Sequence, residues 1–421
     1  MTQFSKIDLF AGCGGLSLGL EYAGFHPVFV NEINNDALNS YLINRDYFGT
    51  HLHEPDFHCH DIKDLVSDRG SLRRLKKRIK EEFSVDVANG DLDLITGGPP
   101  CQGFSGIGHR RSYSVDKKQL PSNYLYQDMA WVIHQLKPKI FLFENVRGLI
   151  SARWTKTGEK GEIWRDVLDT FQSLRDYEVN CSVLSSKHYG VPQNRPRVLL
   201  VGIRKDIHPN IDKNRIDRTI AGGFLPPPTF QAPDLVDLLG DLVDPKFIGG
   251  GKTLLYPHDA TNELQIAFRQ CRASRTVAKK GDEITEHSYS KHSRDISQKF
   301  EHMLKTGGLI PAHLKTNKFS QRLLPPRWDS RGPTITATSL PDDYVHFSQP
   351  RTLTVREWAR LQGFPDWYQF AGNRTSGGIR RAGNPKEGNH QRDLPKYTQI
   401  GNAVPVWLAY ALGEHFKKIL E

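Results

Sequence analysis

The stretch Gly97-Gly98-Pro99-Pro100-Cys101-Gln102-Gly103-Phe104-Ser105 is where this 421-residue chain could do chemistry. It follows Leu92-Asp93-Leu94-Ile95-Thr96, an apolar run with the length of a buried strand, and two glycines then two prolines stop a strand abruptly. A cysteine delivered on such a turn is presented at a strand end instead of being packed. An isolated cysteine is ordinarily a small buried hydrophobe, and Pro-Pro ordinary punctuation. Four other stretches supply what a nucleophilic cysteine needs around it, and they favour the nucleophile.

Those stretches sit on a strand-helix rhythm. Ile7-Asp8-Leu9-Phe10 reads as a strand running into Ala11-Gly12-Cys13-Gly14-Gly15-Leu16-Ser17, a glycine turn that opens a helix. Glycines there let the backbone approach a ligand at the helix N-terminus, although the pattern G-x-G-G-x-x-x-G departs from GxGxxG and a tight connection would also use glycine. A second strand over residues 26–30 ends in Asn31-Glu32, and this carboxylate falls 20 residues beyond Gly12, where an α/β nucleotide fold binds ribose hydroxyls. His60-Asp61-Ile62 is a third strand-end candidate. A helix over 124–136 leads to Ile140-Phe141-Leu142-Phe143, a strand ending in Glu144-Asn145-Val146, and open α/β sheets place ligand-contacting residues at such ends. Gln193-Asn194-Arg195-Pro196-Arg197 opens the apolar strand at 198–203; its two arginines, one residue apart, are expected to point to one side, toward a shared anion or carbonyl.

Composition narrows the class. The net charge is +10, which bears on polyanionic partners and not on fold. Residues 264–281 carry Arg269, Arg272, Arg275, Lys279 and Lys280 without an acid, whereas the basic run at 73–80, followed by Glu81-Glu82, reads as a solvated helix face. Five cysteines without CxxC spacing suggest neither a disulfide framework nor a zinc ribbon, and the histidines of 51–53 and 58–60 lack ligand spacing, so no metal is expected. Mean hydropathy is −0.53. No apolar run approaches the ~20 residues of a membrane span and the first residues carry no signal peptide, so a cytoplasmic chain with reduced thiols is expected.

The rhythm breaks at Leu225-Pro226-Pro227-Pro228. The expected organisation is an α/β domain over 1–225, a second, loop-rich domain over 226–349 with helices near 234–242 and 262–272, and a return to the first domain over 350–421. Residues 106–122 have the length and polarity of a mobile lid. Residues 371–398, with six basic against two acidic side chains, read as a loop facing a polyanion.

In order, Asp8-Leu9-Phe10-Ala11-Gly12-Cys13-Gly14-Gly15, Gly98-Pro99-Pro100-Cys101-Gln102-Gly103-Phe104-Ser105, Phe143-Glu144-Asn145-Val146, Gln193-Asn194-Arg195-Pro196-Arg197, Arg356-Glu357-Trp358-Ala359-Arg360-Leu361-Gln362-Gly363-Phe364-Pro365 and Gln399-Ile400-Gly401-Asn402-Ala403-Val404-Pro405 resemble the motif set of the DNA (cytosine-5)-methyltransferases of prokaryotic restriction-modification type. The resemblance implies a Rossmann-like S-adenosylmethionine-dependent methyltransferase domain with a smaller target-recognition domain. It implies that Cys101 adds to C6 of a flipped-out cytosine, that Glu144 bonds N3, that Arg195 and Arg197 hold the base carbonyl, and that C5 takes the methyl of S-adenosylmethionine. Phe10, Gly12, Gly15, Glu32, Asp61, Ile62, Pro100, Leu125, Asn402 and Val404 would form the cofactor site, the last two requiring the C-terminal helix to fold back onto the first domain. Arg269, Arg272 and Arg275 would contact phosphates or bases, with Gly332-Pro333-Thr334-Ile335-Thr336 as a recognition-loop candidate.

The implied partners are double-stranded DNA with a specific recognition sequence and a paired restriction endonuclease; a monomer is the expectation. The same chemistry on tRNA is disfavoured by the hundred or more residues between the arginine motif and the Arg356 helix. A silent regulator would have lost Cys101, Glu144 or the glycine turn, and a nicotinamide oxidoreductase would have no use for the cysteine turn.

Overall fold

A computed structural model describes residues 4–46, 51–100, 121–315, 321–329, 332–335, 342–375 and 393–421. They divide into two compact units, Met1–Ser185 with Pro196–Thr229 and Trp407–Glu421, and Ser186–Arg195 with Phe230–Val406.

The first unit is a seven-stranded sheet of β1 (Phe4–Leu9), β2 (Phe25–Asn31), β3 (His58–Cys59), β4 (Leu94–Gly97), β5 (Ile140–Val146), β6 (Tyr177–Ser185) and β7 (Pro196–Arg204). Its order is β3-β2-β1-β4-β5-β7-β6. All neighbours are parallel except β7, which runs antiparallel to both β5 and β6. Leu94, Ile95 and all of Ile140 to Phe143 are fully buried, as parallel strands covered on both faces require. The covering helices follow from sequence spacing. In Arg69–Phe83 the stripe Leu72, Leu75, Ile79 faces the core while the basic residues between them face water; Asp68 caps the first turn by accepting from the Gly70 and Ser71 N–H groups. In Glu162–Gln172 the stripe is Ile163, Val167 and Phe171. The last helix, Val406–Leu420, packs on this unit: Gly413 lies so close to Ala23 that a Cβ there would sit 2.6 Å from the Ala23 methyl, and His415 bonds the Gly223 carbonyl at 2.8 Å.

Among the described residues the second unit has two short paired strands, β8 (Arg322–Leu323) and β9 (Tyr344–Val345), between helices and loops. The two helices expected here run from Leu235 to Leu239, continued by a 3-10 turn to Leu242, and from Glu263 to Arg269. A further helix, Arg294–Lys305, was not expected; its apolar face is confined to Ile296, Phe300 and Met303 among charged residues, and Ser293 caps it.

Buried ion pairs hold this unit together and explain where it ends. Arg360, 1% exposed, bonds Asp241 and Asp366; Arg269 pairs with the same Asp241 at 2.6 Å; Arg351 makes a two-pronged bond to Glu357 at 2.7 and 2.8 Å. Arg356 donates to the carbonyl and hydroxyl of Thr285. These bonds bind the helix Val355–Leu361 to residues 241–285, so 350–406 belongs to the second unit instead of returning to the first at 350. Removing one member of such a buried pair leaves an uncompensated charge, a loss on the order of 3–5 kcal/mol.

His287 lies in the same core. Its Nε2–H donates to the Leu242 carbonyl and its Nδ1 accepts the Thr354 hydroxyl, both at 2.9 Å, which leaves no place for a second proton. Burial pushes its pKa down to about 4 and that of His346 to about 3. The unfolded chain therefore takes up protons below about pH 6.5 that the folded unit refuses, so stability is full above that pH and declines below it. Lowering the pH from 7 to 5 is expected to lower the thermal unfolding midpoint, and less so in His287→Asn; an unchanged wild-type midpoint across this range would contradict the assignment.

Candidate active site

Register brings the chemistry to one edge. Leu9 of β1 lies opposite Gly97 of β4, Gly97 opposite Phe143 of β5, Asn31 of β2 opposite Cys59 of β3, and Val146 of β5 opposite Arg197 at the start of β7. The chain runs outward from β1 to β2 and β3 on one side and from β4 to β5 on the other, so a switch point lies between β1 and β4, where open α/β sheets take their ligands. Strands stand about 4.8 Å apart, so the turn after β1 and the end of β5 are separated by about 10 Å.

The turn after β1 is held in an uncommon backbone. Phe10 has φ 53, a left-handed conformation that costs a non-glycine residue about 1 kcal/mol or more, and its N–H is bound by the Asn31 Oδ1 at 3.3 Å. Gly12, at φ 56, has open space where a Cβ would be. The Glu32 carboxylate accepts from the N–H groups of Gly12 and Asn34, both at 2.8 Å; burial raises its pKa and these two donors offset part of the rise. Ile33, unnoticed in the sequence, is 70% exposed immediately beside Glu32. An open glycine backbone, an acid with spare lone pairs and an apolar side chain suit the ribose and base of a nucleoside cofactor. Asp61 caps the short helix Lys63–Val66 by accepting from the Lys63 N–H, Ile62 packs into the main core, Leu125 starts the helix Leu125–Leu136 against that core, and Gly15 starts Gly15–Tyr22.

Beneath the turn is a charged network that apolar patterning hid. Asp8, 2% exposed, accepts from Lys6, Ser17, Tyr41 and Thr96. Burial raises the Asp8 carboxyl, but Lys6 and these donors outweigh it and hold the pKa below the usual carboxylate range. Arg45 pairs with Glu21 at 2.7 Å and donates to the Gly14 carbonyl at 3.2 Å, which ties the glycine turn to this network.

At the other strand end, Arg197 Nε meets Glu144 Oε1 at 2.7 Å. Burial lowers the Arg197 pKa and Glu144 partly restores it. A Cβ on Gly98 would stand 2.9 Å from Glu144 Oε2, so any side chain there would push the carboxylate from its place beside Arg197. Asn145 donates to the Pro99 carbonyl at 3.0 Å and so orients the turn Gly98-Pro99-Pro100, whose Pro100 is exposed. Cys101, the expected nucleophile, and residues 106–120 of the expected lid lie outside the described residues.

The two arginines serve different partners. Arg195 donates to the carbonyls of Ile335 and Gly401, each at 2.6 Å, within the second unit. Gln193 donates to Gln362 Oε1 at 2.7 Å, and Gln362 donates to the Ile400 carbonyl at 2.7 Å. Three motifs far apart in sequence, at 193–197, 356–365 and 399–405, are thus knotted together. Pro333, in the recognition-loop candidate, accepts from the Asn194 N–H. Asn402 is exposed at the end of the helix Lys396–Asn402 and Val404 is 7% exposed; both belong to the second unit. Arg269 is 3% exposed and spent on Asp241, which removes it from the DNA-contact candidates, whereas Arg275 is exposed.

Sheet order and the cradle after β1 define a Rossmann-like methyltransferase fold of the S-adenosylmethionine-dependent kind. The chain matches the model of the C-5 cytosine-specific DNA methylases over residues 4–418, and it belongs to that family. The type II methyltransferase M.DdeI of Desulfomicrobium norvegicum is 30% identical over 426 residues, covering 99% of this chain and 89% of its own length. M.XorII of Xanthomonas oryzae pv. oryzae is 30% identical over 442 residues, covering 100% and 86%. A solved structure of a DNA modification methyltransferase encoded within an E. coli prophage matches in fold, with a TM-score of 0.65, 24% identity and 99% of each chain covered. Among the described residues no helix is long and apolar enough to cross a membrane.

Gly98→Ala is expected to displace the Glu144 carboxylate and reduce kcat for methyl transfer at least tenfold while leaving S-adenosylmethionine affinity within twofold; steady-state kinetics and equilibrium binding check both.

Proposed function

We propose that this chain methylates C5 of one cytosine in a short, specific duplex DNA sequence, drawing the methyl from S-adenosylmethionine, and that it is the cytoplasmic modification partner of a restriction endonuclease. The observation that carries the reading is the Glu144–Arg197 pair standing against Gly98, on the turn that leads into Cys101, two strands from the open Gly12 turn.

Bound S-adenosylmethionine supplies an electrophilic methyl group. Phe10, Gly12, Gly15, Glu32 and Ile33 of the first unit would hold its nucleoside end, with Asp61, Ile62, Pro100 and Leu125 completing that unit's share. Cytosine C5 is a poor nucleophile. Addition of the Cys101 thiolate to C6 turns C5 into an enamine carbon able to take the methyl, and loss of the C5 proton then expels the thiolate. Glu144, carrying a proton into the site, would donate it in a hydrogen bond to N3 and so offset the negative charge that thiolate addition puts on the ring, while Arg197 holds the carboxyl group at the required angle. The Arg195 bonds to Ile335 and Gly401 suit a positioning role in the second unit, where the recognition of sequence would lie. A stacked cytosine is out of reach of all these groups, so the base would be flipped out of the duplex.

Bisulfite sequencing of plasmid DNA from cells expressing the protein is expected to show protected cytosines within one short recurring sequence, and none in cells expressing Cys101→Ala, although that variant still binds DNA. Complete conversion with the wild-type protein, shown folded and binding S-adenosylmethionine, would contradict the function; protection by the variant would contradict the nucleophile.

A further inference from the structure

We infer that a cavity in the first unit, beside the end of β5, seats the phosphodiester backbone of the DNA substrate; this rests on the reading of the chain as a DNA methyltransferase. The cavity has a volume of about 520 Å³ and is lined by Arg147, Ile150, Ser151, Lys160 and Val183. Arg147 follows directly on β5 and begins the 3-10 turn Arg147–Ser151. Val183 of β6 lies opposite Val198 of β7, which lies opposite Asn145 of β5, so Val183 stands two strand spacings, about 10 Å, from Asn145. The cavity is thus a neighbour of the Glu144–Arg197 pair and shares no lining residue with it.

Its charge is unbalanced by construction. Residues 147–160 carry four cations, Arg147, Arg153, Lys156 and Lys160, against one acid, Glu159. Glu159 is taken by Arg165, and the nearby Glu162 carboxylate accepts the backbone N–H groups of Trp154 and Glu159. Glu159 is exposed but taken up by Arg165, and Glu162 is turned to the loop's own backbone, while the four cations are exposed with no ion-pair partner among the described residues. The loop itself is fixed: the Trp154 ring stacks on Tyr124 with centroids 5.1 Å apart, its Nε1–H donates to Asp166 at 2.6 Å, and Gly161 N–H donates to the Ala152 carbonyl at 3.2 Å.

A concavity lined by two cations, a hydroxyl and the apolar side chains of Ile150 and Val183 matches a phosphodiester and its deoxyribose. Arg147 and Lys160 would meet the anionic oxygens, the Ser151 hydroxyl would turn from its long 3.4 Å bond to the Gly148 carbonyl to donate to one of them, and the apolar pair would cover the sugar. Such contacts fix a duplex in register without reading its sequence. Here they would hold the strand beside the residues that receive the cytosine.

The test is the salt dependence of DNA affinity, measured on the full chain with S-adenosylhomocysteine present, using a duplex with the target found by bisulfite mapping and an unrelated duplex. Each lost phosphate contact lowers the slope of log affinity against log salt by about 0.9, so Arg147→Gln/Lys160→Gln is expected to lower it by about 2 on both duplexes, with the KM for S-adenosylmethionine unchanged. The same charge change far from the cavity, Arg73→Gln/Lys77→Gln on the helix Arg69–Phe83, is expected to leave the slope unaltered. A wild-type slope in the first variant, or an equal fall in both, overturns the inference. A wild-type protein that binds neither duplex overturns the DNA reading itself.

Discussion

Glu144 and Arg197 are two charges taken out of water at the end of a buried strand, and either one alone would cost several kcal/mol. Their meeting depends on one feature of the sheet. Because β7 runs antiparallel between β5 and β6, Arg197 falls opposite Val146, and Val146 shares a face with Glu144 two residues earlier. A parallel β7 would have delivered its first residues to the opposite edge. Glycine at 98 leaves the carboxylate its room, and Asn145 on the other face of β5 anchors Pro99; the turn Gly98-Pro99-Pro100 is therefore oriented by the strand that delivers the carboxylate.

The same device, charge buried against charge, recurs under the turn after β1 and in the second unit. The glycine turn after β1 rests on Asp8 and its four donors and on Arg45. The second unit, with almost no sheet to organise it, relies on Asp241, Asp366 and Glu357 with the arginines that answer them. Each such group is costly if unpaired and so accepts only one arrangement, which is the property a loop-rich domain needs to present the same surface every time.

Much of this architecture was legible in the sequence. Continuous apolar runs ending in glycine, proline or an acid marked β1, β2, β4, β5 and β7, because buried parallel strands leave that signature, and the same ends mark the candidate site. What escaped were partnerships. Lys6 and Asp8 interrupt a strand and give no sign that they face each other inside. Arg269 and Arg275 look alike in a basic run, yet one meets Asp241 and the other faces solvent. Arg195 and Arg197 have the spacing of a shared task and are divided between two units by the strand that starts between them. The helix Val355–Leu361 likewise gives no sign in its sequence of the Arg360 and Arg356 bonds that tie it to residues 241–285.

A duplex with 5-fluorocytosine at the target position tests the proposed covalent route through Cys101 most directly. Fluorine cannot leave as a cation as the C5 proton does, so the adduct would stop after methyl transfer. Incubation with S-adenosylmethionine is predicted to give a complex that survives denaturation, with the mass of protein plus methylated DNA and the attachment mapped to Cys101. A protein that methylates the ordinary duplex but leaves the fluorinated one unattached, or attached at another residue, would contradict the account.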